Sequence, residues 1–158
     1  MSFRLLLTAA AFSLSAAPAL AERSVYVGVG ADYAAQDDDA LAVGSFIAGA
    51  TFNLWENMGL GLEGEVGEPI GGSADDRETA RVRGLFTYDF GGVTGIASLG
   101  SVQYEQGSQT FDGETFGLGA QLSLSERWDG RVEVMHDFND DDFDENVTTG
   151  RVALFFKF

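Results

Sequence analysis

The chain has 158 residues, no cysteine, and 9 basic against 25 acidic residues, for a formal charge of −16. So acidic a surface repels phosphate, which excludes nucleic-acid binding, and the lack of cysteine excludes a disulfide framework. Aromatic residues make up 12% and hydrophobic residues 45% of the chain, too much for an acidic disordered tail, so one folded domain is expected.

The chain opens Met1-Ser2-Phe3-Arg4, continues with an apolar run from Leu5 to Leu14, and reaches Ala19-Leu20-Ala21. A basic start, a short apolar core and an A-x-A site read as a secretory signal peptide over 1–21. The domain then spans 22–158. No later stretch has the apolar length of a membrane helix. Beyond the leader Pro69 is the only proline, which suits a chain of paired strands, because proline cannot donate to a ladder.

Alternation with period two then runs through the domain. The first predicted strand, Ser24 to Ala34, sets Val25, Val27, Val29, Ala31 and Tyr33 against Tyr26, Gly28, Gly30 and Asp32. The second, Leu41 to Leu54, sets Phe46, Ala48, Ala50, Phe52 and Leu54 against Ser45, Gly49, Thr51 and Asn53, with Ile47 out of character on the polar face. After a turn at Trp55-Glu56-Asn57, the third runs Met58 to Gly67, with Met58, Leu60, Leu62 and Val66 opposite Glu63 and Glu65. A long loop is expected over 68–78. The fourth strand, Thr79 to Phe90, sets Ala80, Val82, Phe86, Tyr88 and Phe90 against Arg81, Arg83, Thr87 and Asp89, and Gly91-Gly92 reads as a hairpin turn.

In the fifth strand, Val93 to Glu105, Ile96, Val102 and Tyr104 are expected outward, with Ser101, Gln103 and Glu105 inward. After a polar loop over 106–113, the sixth, Glu114 to Leu124, sets Phe116, Leu118, Ala120, Leu122 and Leu124 against Thr115, Gly117, Gly119, Gln121 and Ser123. The seventh, Trp128 to Phe138, sets Trp128, Val132, Val134 and His136 against Asp129, Arg131, Glu133, Met135 and Asp137. An acidic loop over 139–146 leads to the last strand, where Val152, Leu154, Phe156 and Phe158 oppose Arg151 and Lys157.

Longer or more acidic connections follow strands one, three, five and seven, and short turns follow two, four and six. Trp55 and Trp128 both lie beside short turns, with Phe52, Phe90, Phe156 and Phe158 expected at the same end, as in the aromatic girdle of a membrane barrel. The polar face is rich in Gly, Ser and Thr, and Lys157 is the only lysine. Small residues suit the inside of a narrow barrel, whereas the outside of a soluble one would carry long charged side chains. The expected fold is therefore all-β: an eight-stranded antiparallel up-and-down transmembrane β-barrel behind a cleaved signal peptide.

Glu63, Glu65, Arg81, Arg83, Arg131, Glu133 and Arg151 are expected inside as a charge network, together with Glu105, Asp129 and Lys157. Strands three and four would set Glu63 and Glu65 against Arg81 and Arg83, and strands seven and eight would bring Arg131 and Glu133 near Arg151. Such pairs lower the cost of withdrawing charge from water. An eight-stranded interior has room for side chains alone, which favours a filled lumen over a pore.

Other signals carry less. Gly59-Leu60-Gly61-Leu62-Glu63-Gly64 matches G-x-G-x-x-G, but no helix follows. The run Asp140-Asp141-Asp142-Phe143-Asp144-Glu145 lacks the register of an EF-hand and reads as a solvated loop. His136, the only histidine, faces outward with no serine beside it. No catalytic residue, metal centre or cofactor is expected.

With its strands placed, the chain resembles the eight-stranded outer-membrane barrels of Gram-negative bacteria: the OmpA membrane domain, OmpX/Ail and the opacity-type porin family. The resemblance rests on the leader, the strand pattern, the Glu/Arg interior and the ending Val152-x-Leu154-x-Phe156-x-Phe158. It implies an outer-membrane location, a non-enzymatic envelope-structural or surface-interaction role, and an ending read by the barrel-assembly machinery. The expected state is a monomer, in contact with outer-membrane lipid and with lipopolysaccharide, whose phosphates could share divalent cations with the acidic loops. A narrow solute or ion channel, a lipid-modifying enzyme and a soluble periplasmic carrier are the alternatives.

Overall fold

The computed structural model describes residues 23–36, 39–72, 77–106, 109–139 and 146–158. The leader over 1–21 and the acidic stretches Asp37-Asp38 and Asp140–Glu145 lie outside the described residues. Eight strands account for nearly all the rest: β1 (Arg23–Gln36), β2 (Asp39–Trp55), β3 (Met58–Gly72), β4 (Arg77–Asp89), β5 (Val93–Gln106), β6 (Gln109–Ser123), β7 (Trp128–Asn139) and β8 (Val147–Lys157). Each pairs antiparallel with the next, and β8 pairs with β1, so the sheet closes into an up-and-down barrel.

The register fixes its shape. Following hydrogen-bonded partners once around from Val25, through Ala50, Leu62, Gly84, Leu99, Phe116, His136 and Thr148, returns to β1 at Ala35, ten residues further on. An offset of ten over eight strands requires a strand tilt of about 40°, inside the usual range for closed barrels.

The two faces of this sheet reverse the order found in a soluble protein. Val29, Phe46, Leu99, Leu118, Val134 and Val152 are exposed, Leu99 at 67%. Asp32, Glu63, Glu65, Arg81, Arg83, Arg131, Glu133, Asp137 and Arg151 are buried, Glu63 and Arg83 at 1% each. Charged side chains are almost never buried this deeply unless they are paired. Apolar residues also point inward, among them Ile96, Val102 and Met135, and Tyr26, Ile47, Ala153 and Phe155 form one cluster, which gives the inward Ile47 its apolar surroundings.

The turns joining β2 to β3, β4 to β5 and β6 to β7 lie at one end, with Trp55, Phe90 and Trp128 beside them. Phe90 N donates to Val93 O at 2.9 Å around Gly91 (φ 84°) and Gly92 (φ 114°). Both residues sit where only glycine is at ease, as a tight two-residue hairpin requires. Trp128 lies edge-on to Phe156 at 5.2 Å, and Phe156 edge-on to Phe158 at 5.3 Å.

Three expectations are corrected. First, β5 is inverted: Ile96, Val102 and Tyr104 are buried inside, while Ser101 and Glu105 are exposed outside. The ladder settles it, because Val102 is the register partner of the inward Arg81 and Tyr104 that of the inward Thr79. Glu105 therefore does not belong to the lumen. Second, the expected loops over 68–78 and 106–113 are mostly strand. β3 continues to Gly72 and β6 begins at Gln109, since backbone pairing needs no apolar face. Pro69 falls within β3, opposite Val43 at a register shift, beyond the last β3–β4 pair, Gly67 with Thr79. Third, only two residues separate β1 from β2 and β5 from β6. The odd connections are thus not uniformly longer than the even ones.

Candidate functional site

The inward residues form a layered plug. At the tryptophan end, Lys157 Nζ lies 2.7 Å from Asp129 Oδ1, and Asp129 also accepts from Gln121 (2.8 Å) and Ser123 (3.0 Å). These residues line a cavity of about 250 Å³ that ends on Tyr26, Ile96, Arg131 and Phe155. Tyr26 and Phe155 meet edge to face at 5.3 Å, and the Arg131 guanidinium stacks 4.2 Å from the Phe155 ring centroid. Planar guanidinium stacked on an aromatic ring closes the lumen more tightly than a flexible ammonium would.

Above this layer the ion pairs begin. Glu63 accepts from Arg83, from Arg131 Nη1 at 2.7 Å and from Tyr26 Oη at 2.8 Å. Arg83 Nη1 also donates to Glu133 Oε1 at 2.6 Å, and Ser98 Oγ donates to the same oxygen at 3.1 Å. The next layer centres on Glu65. It accepts from Arg81 Nη1 (2.7 Å) and from Arg151 Nη1 and Nη2 (2.5 and 2.7 Å). Arg151 is also clamped by Asp32, with Nε on Oδ1 at 2.6 Å and Nη2 on Oδ2 at 2.5 Å. Arg81 Nη2 donates to Asp137 Oδ2 at 2.6 Å, and the Tyr104 hydroxyl donates to the same oxygen.

All seven residues expected in the network lie in it. Glu63 with Arg83 and Glu65 with Arg81 are direct register partners across β3 and β4. Strands β7 and β8 do bring Glu133 beside Arg151 as register partners, but their ion pairs go elsewhere. Arg131 turns to Glu63 on β3, Glu133 to Arg83 on β4, and Arg151 to Asp32 on β1 and Glu65 on β3. Arg131–Glu63, Glu133–Arg83 and Arg151–Glu65 therefore cross the lumen, while Arg151–Asp32 runs along the β1–β8 ladder. The tube is narrow enough that a long guanidinium reaches a side chain from the opposite wall. Asp32, Asp137, Tyr26, Tyr104, Ser45 and Ser98 complete the network and were not expected there; the inward parity of Asp32 and Asp137 was legible, their partners were not.

The outward residues expected to form the terminal assembly signal share the outer face of β8. Val152 is 64% exposed and Phe158 79%, with Leu154 and Phe156 between them. Phe158 N donates to Val25 O at 3.0 Å, so the last residue is tied into the closing seam. His136 also faces outward; its Nδ1 lies 2.9 Å from Thr148 Oγ1 and its ring packs on Phe138. Among the described residues no group of three or more His, Cys, Asp or Glu is arranged to hold a metal.

No family model matches the chain, and no curated protein matches it. Solved structures do match. The N-terminal β-barrel domain of Pseudomonas aeruginosa OprF superposes with a TM-score of 0.62 at 15% identity, over 87% of this chain and 99% of that one. Ail, the attachment invasion locus protein of Yersinia pestis, gives 0.60 at 13%, over 87% and 99%. The outer-membrane enzyme PagL gives 0.54 at 12%, over 84% and 98%. The chain thus has the eight-stranded fold of bacterial outer-membrane barrels. That fold carries an attachment protein and an enzyme alike, so the role must be argued from the residues.

Proposed function

We propose that this protein is an integral outer-membrane barrel with a closed lumen and a non-enzymatic role in the structure or surface of the envelope. The observation that carries this reading is the inverted burial: Leu, Val and Phe cover the outside while Glu, Asp and Arg fill the inside. An apolar outer band ringed by aromatics is stable in lipid, and in water it would be a large aggregation-prone patch. A soluble carrier would need the reverse arrangement.

The closed lumen is supported by bridges that span it at two levels and by side chains with almost no access to water. A role for lipid chemistry finds no support at His136, whose ring nitrogen meets a threonine and whose face meets a phenylalanine. The chain's export by 1–21, its handling by the barrel-assembly machinery through Val152, Leu154, Phe156 and Phe158, and its life as a monomer belong to the same proposal. So does sharing of divalent cations between the acidic loops and lipopolysaccharide phosphates.

Cell fractionation with heat-modifiable gel migration tests the proposal. The expected result is an outer-membrane band that shifts on boiling. A soluble periplasmic pool would overturn it. In planar bilayers, discrete conductance steps above background would refute the closed lumen and favour a channel.

A further inference from the structure

The cavity of about 250 Å³ at the tryptophan end is a dead end, with the buried side chains of Tyr26, Ile96 and Phe155 as its floor. Exposed Glu56, Asn57 and Ser123 lie at its mouth. β3 sends only Gly59 inward here, and a Cβ at that position would come within 2.6 Å of Thr87 Oγ1. The bare wall leaves the room. The lining has two unlike sides. On β6, β7 and β8 its polar groups are committed to one another or to the plug. Asp129 accepts from Lys157, Gln121 and Ser123, and Arg131 donates to Glu63 and Gln121. On β1, β2, β4 and β5 the lining is neutral and uncommitted. The side chains of Ser24, Thr51, Asn53, Thr87 and Thr94 make no hydrogen bond among the described residues. Asp89, the carboxylate on that side, holds the turn amides of Gly91 and Gly92.

An arc of free hydroxyls above an apolar floor is the complement of a sugar ring, which carries hydroxyls at its edge and C–H groups on its faces. Each hydroxyl both donates and accepts, so the two sets can satisfy each other. We infer that this vestibule binds one uncharged sugar ring, its C–H face on Ile96 and Phe155 and its hydroxyls against Thr51, Thr87 and Thr94. Mouths of β-barrels are recurrent ligand sites, and drug-sized ligands need about 300–1,000 Å³, so a smaller cavity takes a single ring. Charge argues against the alternatives. An anionic ligand would face Asp129 and Asp89. An ammonium would have to displace Lys157, Gln121 or Ser123 from Asp129. An apolar ligand would strip water from five polar side chains and return no hydrogen bond. The inference goes beyond the envelope role proposed above and needs only the folded barrel.

Solution NMR of the full folded, isotope-labelled chain in detergent micelles, titrated with glucose, tests this. The expected result is a saturable shift of the Thr51, Thr87 and Thr94 amides, in the millimolar range, with Asp32 and Glu65 unmoved. Glucuronate and glucosamine carry a charge on the same ring and should bind at least about tenfold more weakly, the cost of one group left unpaired. Thr51→Val and Thr87→Val each remove one hydroxyl while keeping the side-chain shape, and each should weaken glucose by about two- to tenfold. Thr79→Val, which removes an inward hydroxyl at the other end of the lumen, should leave the affinity unchanged. Maltose separates two sources of the ring: retained binding assigns the site to the end of a glycan, and lost binding to a free monosaccharide. Unsaturable glucose shifts up to about 0.1 M, binding of glucuronate or glucosamine as tight as glucose, or unchanged affinity in both vestibule variants would each overturn the inference. A dispersed amide spectrum from the same sample reports separately that the barrel is folded.

Discussion

Replacing Arg83 by methionine removes a charge that binds Glu63 on the neighbouring strand and Glu133 across the lumen, with Glu65 at 3.7 Å. Glu63 keeps Arg131 and Tyr26. Glu133 keeps only Ser98 on Oε1, and its Oε2 already has no hydrogen-bond partner among the described residues. The variant therefore strands one buried carboxylate, on β7, and not the other, on β3. Breaking a buried pair from one side costs about 3–5 kcal/mol, because the remaining charge is left uncompensated. Neutralising the stranded group should restore most of this: Arg83→Met with Glu133→Gln should recover about 2 kcal/mol or more. Arg83→Met with Glu63→Gln should recover less, since Glu63 was never stranded and its loss deprives Arg131 of a partner. Urea unfolding in lipid vesicles, followed by the fluorescence of Trp55 and Trp128, measures all three. A cost below about 1 kcal/mol for Arg83→Met, or equal recovery by the two double variants, would show that water reaches these charges and that the lumen is not sealed.

Deletion of Phe158 removes an exposed aromatic and the bond from its nitrogen to Val25 O; outer-membrane yield should fall severalfold while already inserted protein keeps its heat-modifiable shift, and a normal yield would refute the terminal signal. Gly49→Val places a Cβ 2.6 Å from the Tyr26 ring and 2.9 Å from the Leu62 carbonyl oxygen, so it should destabilise by about 1–3 kcal/mol in the same unfolding assay. Gly64→Ala, with nothing within 4 Å of its new Cβ, should change stability by no more than about 0.5 kcal/mol. His136→Ala should leave the phospholipid and lipid A profiles of expressing cells unchanged, and an altered profile would revive the enzymatic alternative.

The barrel was legible wherever one parity of a strand was apolar and the other small or charged, as in β6 and β8. It was illegible in β5, where Val93, Ala97 and Leu99 alternate with Ile96, Val102 and Tyr104 and both parities carry large apolar groups. There, only pairing with β4 decides which face turns inward, and pairing is a tertiary fact. Strand ends were missed for a related reason. Hydropathy marks where a strand meets apolar surroundings, and the ladders of β3 and β6 run past that point into polar residues such as Glu68 and Gln109. Membership of the charge network followed from parity. Its partners did not, because they depend on which strands face each other across the tube, and that depends on the ten-residue offset.

That offset also shapes how the molecule forms. Seven of the eight ladders are hairpins, closed between neighbours in sequence. The eighth joins Tyr26–Ala35 to Thr148–Lys157 and is the one ladder between distant parts of the chain. The entropy of bringing remote segments together is thus concentrated in one seam, which makes its closure the slow event. Asp32 and Arg151 are partners in that seam and clamp each other at 2.5–2.6 Å. Before closure each is a lone charge on a free sheet edge; afterwards each is neutralised and buried. The pair is a latch whose engagement reports, on its own, that the ring is complete.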